Sequence, residues 1–519
     1  MLTPRTRSME FKSIKELREY LRRYNSNSFV EVGTSVCWQE WQNGGPRISR
    51  LGRVKKNSRR NYALRLILLA SAGNPYRNQA ITFQEFESLI DVLSNFANHT
   101  ISDKTLLDTE AEYIFNDLHT WERENYKTVR NWKLLLSDIF TKELIGKNGG
   151  HLFLQRQALF QNSGFWTPLA LVQLARVQRT MKVFEILNSI DLNTINFFES
   201  STKLNHEFYF VQFMSSIGCF LKTRFRGVLD FKKSIDFDDE LKSKGYTEEN
   251  LRIFVRLNSR VFSSSDRDSF RNIVTERLNN TSEVYHPFFY NSFLDYPFID
   301  LGQDKYCLPD ACSLMESSWN ITCKHLPSNK ILDQAFEQYL ANVLLPIIAP
   351  NCFEKIREVE NPQSSDDKRA DFLITLPNVY IIIECKNSLM SSDTSVCFNP
   401  KGLASLWGRI HGATEQISST IKALKLEDKP VIPLILTFYD ALLASNVFES
   451  IVKSTDYCDH LNLSMPPIVR SLHEFEDRIY DRSLENWAES MLPKQSDSSI
   501  KPDNQGHNYR HLKDIIIDI

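Results

Sequence analysis

The stretch ADFLITLPNVYIIIECK, residues 370–386, decides how the last third of this chain folds. Pro377 and Asn378 are turn formers set between two apolar runs, so the segment predicts two strands joined by a tight turn. Ile381, Ile382 and Ile383 follow one another without a polar break, which predicts a strand buried on both faces and hence central in its sheet. Because side chains alternate along a strand, Glu384 and Lys386 share a face about 6.6 Å apart, from a rise of ~3.3 Å per residue. Cys385 between them is expected to point the other way, into the core. Asp371, near the start of the partner strand, can reach the same end of the hairpin.

Working outward, ILDQAFEQYLANVLL (331–345) places Leu332, Phe336, Leu340, Val343 and Leu344 at the spacing of one helix face, with Asp333 and Glu337 together on its flank. FEKIREVE, from Phe353, predicts a short first strand ahead of a polar loop. Downstream, Leu406, Ile410, Ala413, Ile417, Ile421 and Leu424 form a second helical stripe with Arg409 and Gln416 on one flank. Pro430 then introduces VIPLILTF, a further buried strand. The expected order is helix, strand, strand, strand, helix, strand.

Two carboxylates and an ammonium at one sheet end have a definite chemistry. The carboxylates can hold a hard divalent ion that keeps several waters and takes a phosphate oxygen, while the ammonium orients water or stabilises charge at phosphorus. The spacing Glu-x-Lys says little alone, since Glu10 and Lys12, Glu240 and Lys242, and Glu427 and Lys429 share it. None of those three ends an apolar β-run preceded by an Asp-bearing strand, and that context carries the inference.

With Asp371 and Glu384-Cys-Lys386 at these places in that element order, the segment resembles the core of the PD-(D/E)xK nuclease superfamily over roughly 120 residues. The resemblance implies an α/β nuclease core with a mixed sheet, hydrolysing phosphodiester bonds in DNA with Mg²⁺ or Mn²⁺. It implies that Asp371 and Glu384 bind the metal, that Lys386 assists the water, that Glu337 completes the metal site and that Gln416 supports it. Ala370 stands where the family's name puts proline. The alternatives are an RNA-directed nuclease, or an inactive nucleic-acid-binding module of the same fold.

The remainder is expected to be a large, mainly α-helical N-terminal region over residues 1–284, followed by a β-containing connector (285–329), the nuclease-like domain (330–490) and a mobile tail (491–519). At 519 residues the chain exceeds what one core usually organises. Ser13 with Glu16, and Thr82 with Glu85, have the spacing of capping boxes, and Thr167-Pro168 looks like a helix start. FVEVGTSVCWQEW (29–41) ahead of Gly44-Gly45-Pro46 suggests a small strand pair, and Gly302 to Asp304 suggests a turn between two extended runs. The helical region is expected to regulate, select substrate or bind a protein partner or a second copy, as in fusions of restriction-like and antiviral defence systems.

The 62 basic and 64 acidic residues nearly cancel, so any grip on nucleic acid must come from local patches. Nine cysteines without a repeated spacing predict reduced thiols and a cytoplasmic setting. No apolar run approaches the ~20 residues needed to span a membrane, so no membrane partner is expected.

Overall fold

The structure, a computed structural model, describes residues 11–43, 62–70, 79–102, 170–222, 227–233, 242, 247–262, 270–279, 292–326, 331–356, 368–387, 400–438, 457–472, 475–476, 479 and 483–492. The expected helix start at Thr167-Pro168 and the tail beyond Leu492 lie outside these residues. Helices and two mixed sheets make up two compact units, the first of residues 1–104 and 158–327 and the second of residues 105–157 and 328–519. No helix among the described residues is long and apolar enough to cross a membrane.

The first unit carries helices α1 (Ile14–Leu21), α2 (Ser26–Asn43), α3 (Phe83–Ser102), α4 (His206–Lys222) and α5 (Glu248–Leu257), among others, around a four-stranded sheet. Its strands are β1 (Val228–Asp230), β2 (Ser259–Val261), β3 (Phe298–Gly302) and β4 (Lys305–Cys307), in the order β1-β4-β3-β2. Both capping boxes close hydrogen bonds. Glu16 N–H donates to Ser13 Oγ at 3.2 Å. At the start of α3 the exchange is reciprocal: Glu85 N–H donates to Thr82 Oγ1 at 3.2 Å and Thr82 N–H to Glu85 Oε2 at 2.9 Å.

Two expectations change. Residues 29–41 are helix α2, not a strand pair. The valines and threonine suggest strand, but Phe29, Val30, Gly33, Thr34 and Cys37 recur at helical spacing and are buried, with Val36 and Trp38 buried beside them, while Asn25 Oδ1 caps the start by accepting from Ser28 N–H at 3.1 Å. The segment over 285–329 is also no separate connector. Its hairpin, β3 and β4, pairs with β2 and β1 and so completes the sheet of the first unit. Gln303 and Asp304 both take positive φ at that turn (57° and 62°), the backbone twist that suits a tight hairpin.

Strand alternation explains why this sheet is internal. Val228, Ile299, Leu301 and Cys307 enter one apolar cluster, with α1, α2, α3 and the helix over 62–70. Leu229, Phe298 and Tyr306, their neighbours in sequence, enter another with α4 and α5. Trp38 of α2 belongs to the second cluster, and its indole N–H donates to Leu308 O at 2.7 Å. Gly227, at φ +82°, passes beneath it: a Cβ there would lie 2.3 Å from Trp38 Nε1 and 2.4 Å from Thr34 Cγ2.

Among the described residues, the second unit begins with α6 (Leu332–Tyr339), which continues through one π-helical turn (Leu340–Leu344) into α7 (Leu345–Ile348). Proline within a helix removes a donor and crowds the carbonyl four residues back. Here Pro346 follows a turn in which Leu345 N–H reaches to Leu340 O, and the wider winding accommodates it. A five-stranded sheet follows, in the order β5-β6-β7-β8-β9: β5 (Phe353–Lys355), β6 (Phe372–Thr375), β7 (Tyr380–Lys386), β8 (Val431–Thr437) and β9 (Ile468–Ser471). The first two pairings are antiparallel and the last two parallel. Between β7 and β8 the chain forms α8 (Pro400–Leu424), the crossover that a parallel pair requires.

β7 is the central strand, and Ile381, Ile382 and Ile383 are fully buried. Leu376 N–H donates to Val379 O at 3.0 Å to close the β6–β7 turn. Pro433 sits one residue before the β9 ladder begins, where β8 has a strand neighbour on one side only and a missing donor interrupts no second ladder.

Gly227→Ala is expected to cost roughly 2 to 4 kcal/mol, because the methyl clashes with Trp38 and Thr34 at a backbone angle that favours glycine. Gly218→Ala, where a Cβ meets nothing within 4 Å inside α4, should be neutral or gain up to about 1 kcal/mol. Chemical denaturation of both variants checks the contrast, and equal behaviour would mean that the close approach at Gly227 does not constrain the fold.

Candidate functional site

The hairpin register fixes the centre of the site. Phe372, opposite Ile383, is the last residue of β6 in register with β7. One residue outward the register slips: Asp371 N–H donates to Ile383 O at 3.0 Å, so Asp371 and Phe372 share one partner residue at the strand end, as in a β-bulge. The Asp371 charge acts on Glu384 across this strand end. Asp371 lies past the end of β6, and its carboxylate turns across the strand end to accept from Cys385 N–H at 2.6 Å. The Cys385 thiol also bonds to Asp371, so its side chain meets the site instead of turning wholly into the core, as alternation predicts for a regular strand. Burial and the charges of Asp371, Glu384 and Glu337 push that thiol well up, which keeps it protonated and unreactive.

Glu384 is 2% exposed, and one of its oxygens is paired with the Lys386 ammonium. The other, Oε2, is buried without a hydrogen-bond partner. Burial pushes the Glu384 carboxyl up to about 8, with the charges of Asp371 and Glu337 adding to the rise and Lys386 opposing it. Asp371 is raised too, again chiefly by burial, against the Cys385 N–H and the Lys386 charge. Three acidic groups therefore gather around the Lys386 ammonium in a partly dry volume.

Helix α8 supports this centre from the side. Ile410, Ala413 and Ile417, at successive turns, are buried, which orients Gln416 and Thr420 toward the hairpin end. Lys386 Nζ donates to Gln416 Oε1 at 2.9 Å, and Gln416 Nε2 donates to Arg369 O at 3.3 Å. Four residues on, Thr420 Oγ1 accepts from Ala370 N–H at 2.8 Å and donates to Gln416 O at 2.7 Å. One helix face thus holds Lys386 and the backbone that presents Asp371. Arg409, on the same flank by sequence, is exposed.

Glu337 projects from α6 close enough to raise Glu384, and it accepts from Lys355 Nζ of the edge strand β5 at 3.1 Å. Asp371, Glu384, Lys386, Gln416 and Glu337 therefore gather at one place. Sequence alone gave no signal for Thr420 or Lys355: a threonine on a helix flank and a lysine on a short edge strand are ordinary solvated residues until the register is known.

The donor chemistry suits a hard divalent cation. Carboxylate oxygens are its preferred ligands, and a small ion completes its shell with water. The unpartnered Glu384 Oε2 is the observation that favours a fit, since a buried carboxylate oxygen without a donor is costly. Among the described residues no group of three or more His, Cys, Asp and Glu forms a preassembled metal cage. The ammonium groups of Lys386 and Lys355 provide the counter-charge instead. No family profile, curated protein or solved structure matches the chain.

The raised Glu384 sets a pH signature. The folded chain keeps a proton up to about pH 8 that the unfolded chain releases near the ordinary value of 4.5, so stability falls as pH rises through this window. In chelator-treated protein, Glu384→Gln, which fixes the neutral form, should match wild type near pH 4.5. By pH 9 it should exceed wild type in stability by on the order of a few kcal/mol. Thermal melts across that range check it, and a stability difference independent of pH would place the Glu384 proton elsewhere.

Proposed function

We propose that the second unit is a metal-dependent nuclease hydrolysing phosphodiester bonds in DNA, of the PD-(D/E)xK type that the sequence resembles. The observation that carries this reading is the meeting of Asp371, Glu384 and Lys386 at one end of a central hairpin, with a buried oxygen of Glu384 left without a partner. Asp371 and Glu384, with Glu337, would hold Mg²⁺ or Mn²⁺. When bound, such an ion neutralises charge that develops on the phosphate.

The chain's own residues do the rest. Glu384 must release its proton before it can serve as an anionic ligand, so uptake of the metal by the site should be accompanied by proton release and should weaken as pH falls. Lys386, held on one side by Glu384 and on the other by Gln416, offers a fixed ammonium that orients the attacking water or stabilises negative charge on the phosphoryl oxygens. Gln416 prevents that ammonium from swinging to solvent. Ala370 departs from the family's proline, and its N–H makes a bond to Thr420 that proline could not make. The segment before Asp371 is thus fixed by a hydrogen bond where a proline ring would restrict it covalently.

Purified full-length chain should cleave plasmid DNA in Mg²⁺ or Mn²⁺, with EDTA abolishing the activity and added metal restoring it. Asp371→Ala should abolish cleavage, and Lys386→Ala should lower turnover by at least ~10²-fold while leaving metal affinity largely intact. Gln416→Ala should fall between Lys386→Ala and wild type. Parallel assays on single-stranded DNA and RNA assign the substrate. DNA binding without cleavage in any of these metals would replace the nuclease with a binding module, and cleavage that survives both Asp371→Ala and Lys386→Ala would place the activity outside this site.

A further inference from the structure

The two lysines at the site are held in different ways. Lys386 is 25% exposed and bonded to both Glu384 and Gln416, so it is fixed. Lys355 is 54% exposed, on the edge strand, and its ion pair is with Glu337 across the mouth of the site. Its register places it beside Asp371: Lys355 pairs with Phe372, and the next residue, Ile356, donates its N–H to Asp371 O at 2.8 Å. The Lys355 charge also acts on the Asp371 carboxylate. A single solvent-facing ammonium is thereby poised over two of the three carboxylates.

We propose that Lys355 is a substrate-phosphate contact held in reserve by Glu337, and that it passes from Glu337 to a phosphate of bound DNA when a divalent cation takes up the carboxylates. The proposal rests on the nuclease reading of the same site and adds a residue that the resemblance does not assign. The argument is one of charge. Until a cation arrives, the acidic cluster needs positive neighbours, and Lys355 pairs with its outermost member, Glu337. Once Glu337 faces a divalent ion, the ammonium is repelled by that ion and is no longer needed there. An exposed ion pair contributes little to stability, so its release costs little. The nearest strong anion is then the backbone of the nucleic acid entering the site, and a lysine serves as a point charge for a phosphate. Lys386 cannot take this part, because moving it would strip the buried Glu384 of its counter-ion.

The test uses the full chain, wild type against Lys355→Met and Lys355→Arg, with Lys425→Met on the turn after α8 as a control for general charge. Calorimetry of the metal-free proteins should show Mn²⁺ bound about 3- to 10-fold more tightly by Lys355→Met than by wild type, because a competing cation is gone. Binding of a duplex DNA oligonucleotide in Ca²⁺, with cleavage followed in the same samples, should be about 3- to 10-fold weaker. Its salt dependence should flatten by about 0.9 in the log–log slope, the value for one phosphate contact. Lys355→Arg should bind DNA like wild type, and Lys425→Met should change neither quantity. Unchanged or weaker Mn²⁺ binding by Lys355→Met overturns the proposal, as does an unchanged DNA affinity and slope. If either occurs in a preparation whose wild type cleaves DNA, the nuclease reading stands and only the role of Lys355 falls. If wild type neither binds nor cleaves DNA, the nuclease reading falls and takes the proposal with it.

Discussion

The ion pair between Glu384 and Lys386 is the constraint around which the second unit is arranged. Strand β7 is buried through its three isoleucines because it is central, and the same position buries the carboxylate that follows them. A charged carboxylate in such a place must be paired or protonated. Both answers are present: the ammonium two residues on neutralises one oxygen, and the raised titration of Glu384 shows how incompletely it compensates. Removing one partner of a fully buried pair costs about 3 to 5 kcal/mol, and Lys386, 25% exposed, lies below that scale. The centre is thus electrostatically frustrated, a common property of sites shaped for a ligand and not for stability alone.

Helix α8 turns this local problem into a rigid arrangement. Its buried stripe packs on the unit's core, and its polar flank makes two hydrogen bonds to the backbone before Asp371 and one to Lys386. Because Gln416 and Thr420 are one helical turn apart and bonded to each other, any tilt of the helix would move both together. Asp371 and Glu384 come from one hairpin, but the residues that brace them come from a segment some 30 to 50 residues further along.

How much of this was legible follows from the range of the forces involved. The hairpin, its central strand and the meeting of Asp371 with Glu384 were readable because alternation, a turn dipeptide and an apolar run act within 17 residues. The capping boxes were readable for the same reason. Helix α2 was not, since its valines and threonine favour strand locally and only the packing of Gly33 against Ile67 and Phe86 reveals the helical face. A Cβ on Gly33 would lie 2.7 Å from each of those side chains. The hairpin of β3 and β4 was visible, but its partners β1 and β2 lie tens of residues upstream, and no local pattern names them. Gln416 was assigned by resemblance and not by its own surroundings, while Thr420 and Lys355 depend on a register that the sequence does not express.

The order of the five strands also has a kinetic meaning. β6 and β7 are joined by four residues, whereas β7 finds β8 only after a crossover of more than 40, and β9 lies a further 30 beyond that. Contacts that close short loops form early, and parallel pairings wait for long loops to close. Asp371 and Glu384 are therefore brought together by the shortest loop closure in this sheet, while Gln416 and Thr420 arrive only with the long crossover. Until the crossover helix docks, the hairpin lacks the bonds by which Gln416 holds Lys386 and Thr420 holds the backbone before Asp371.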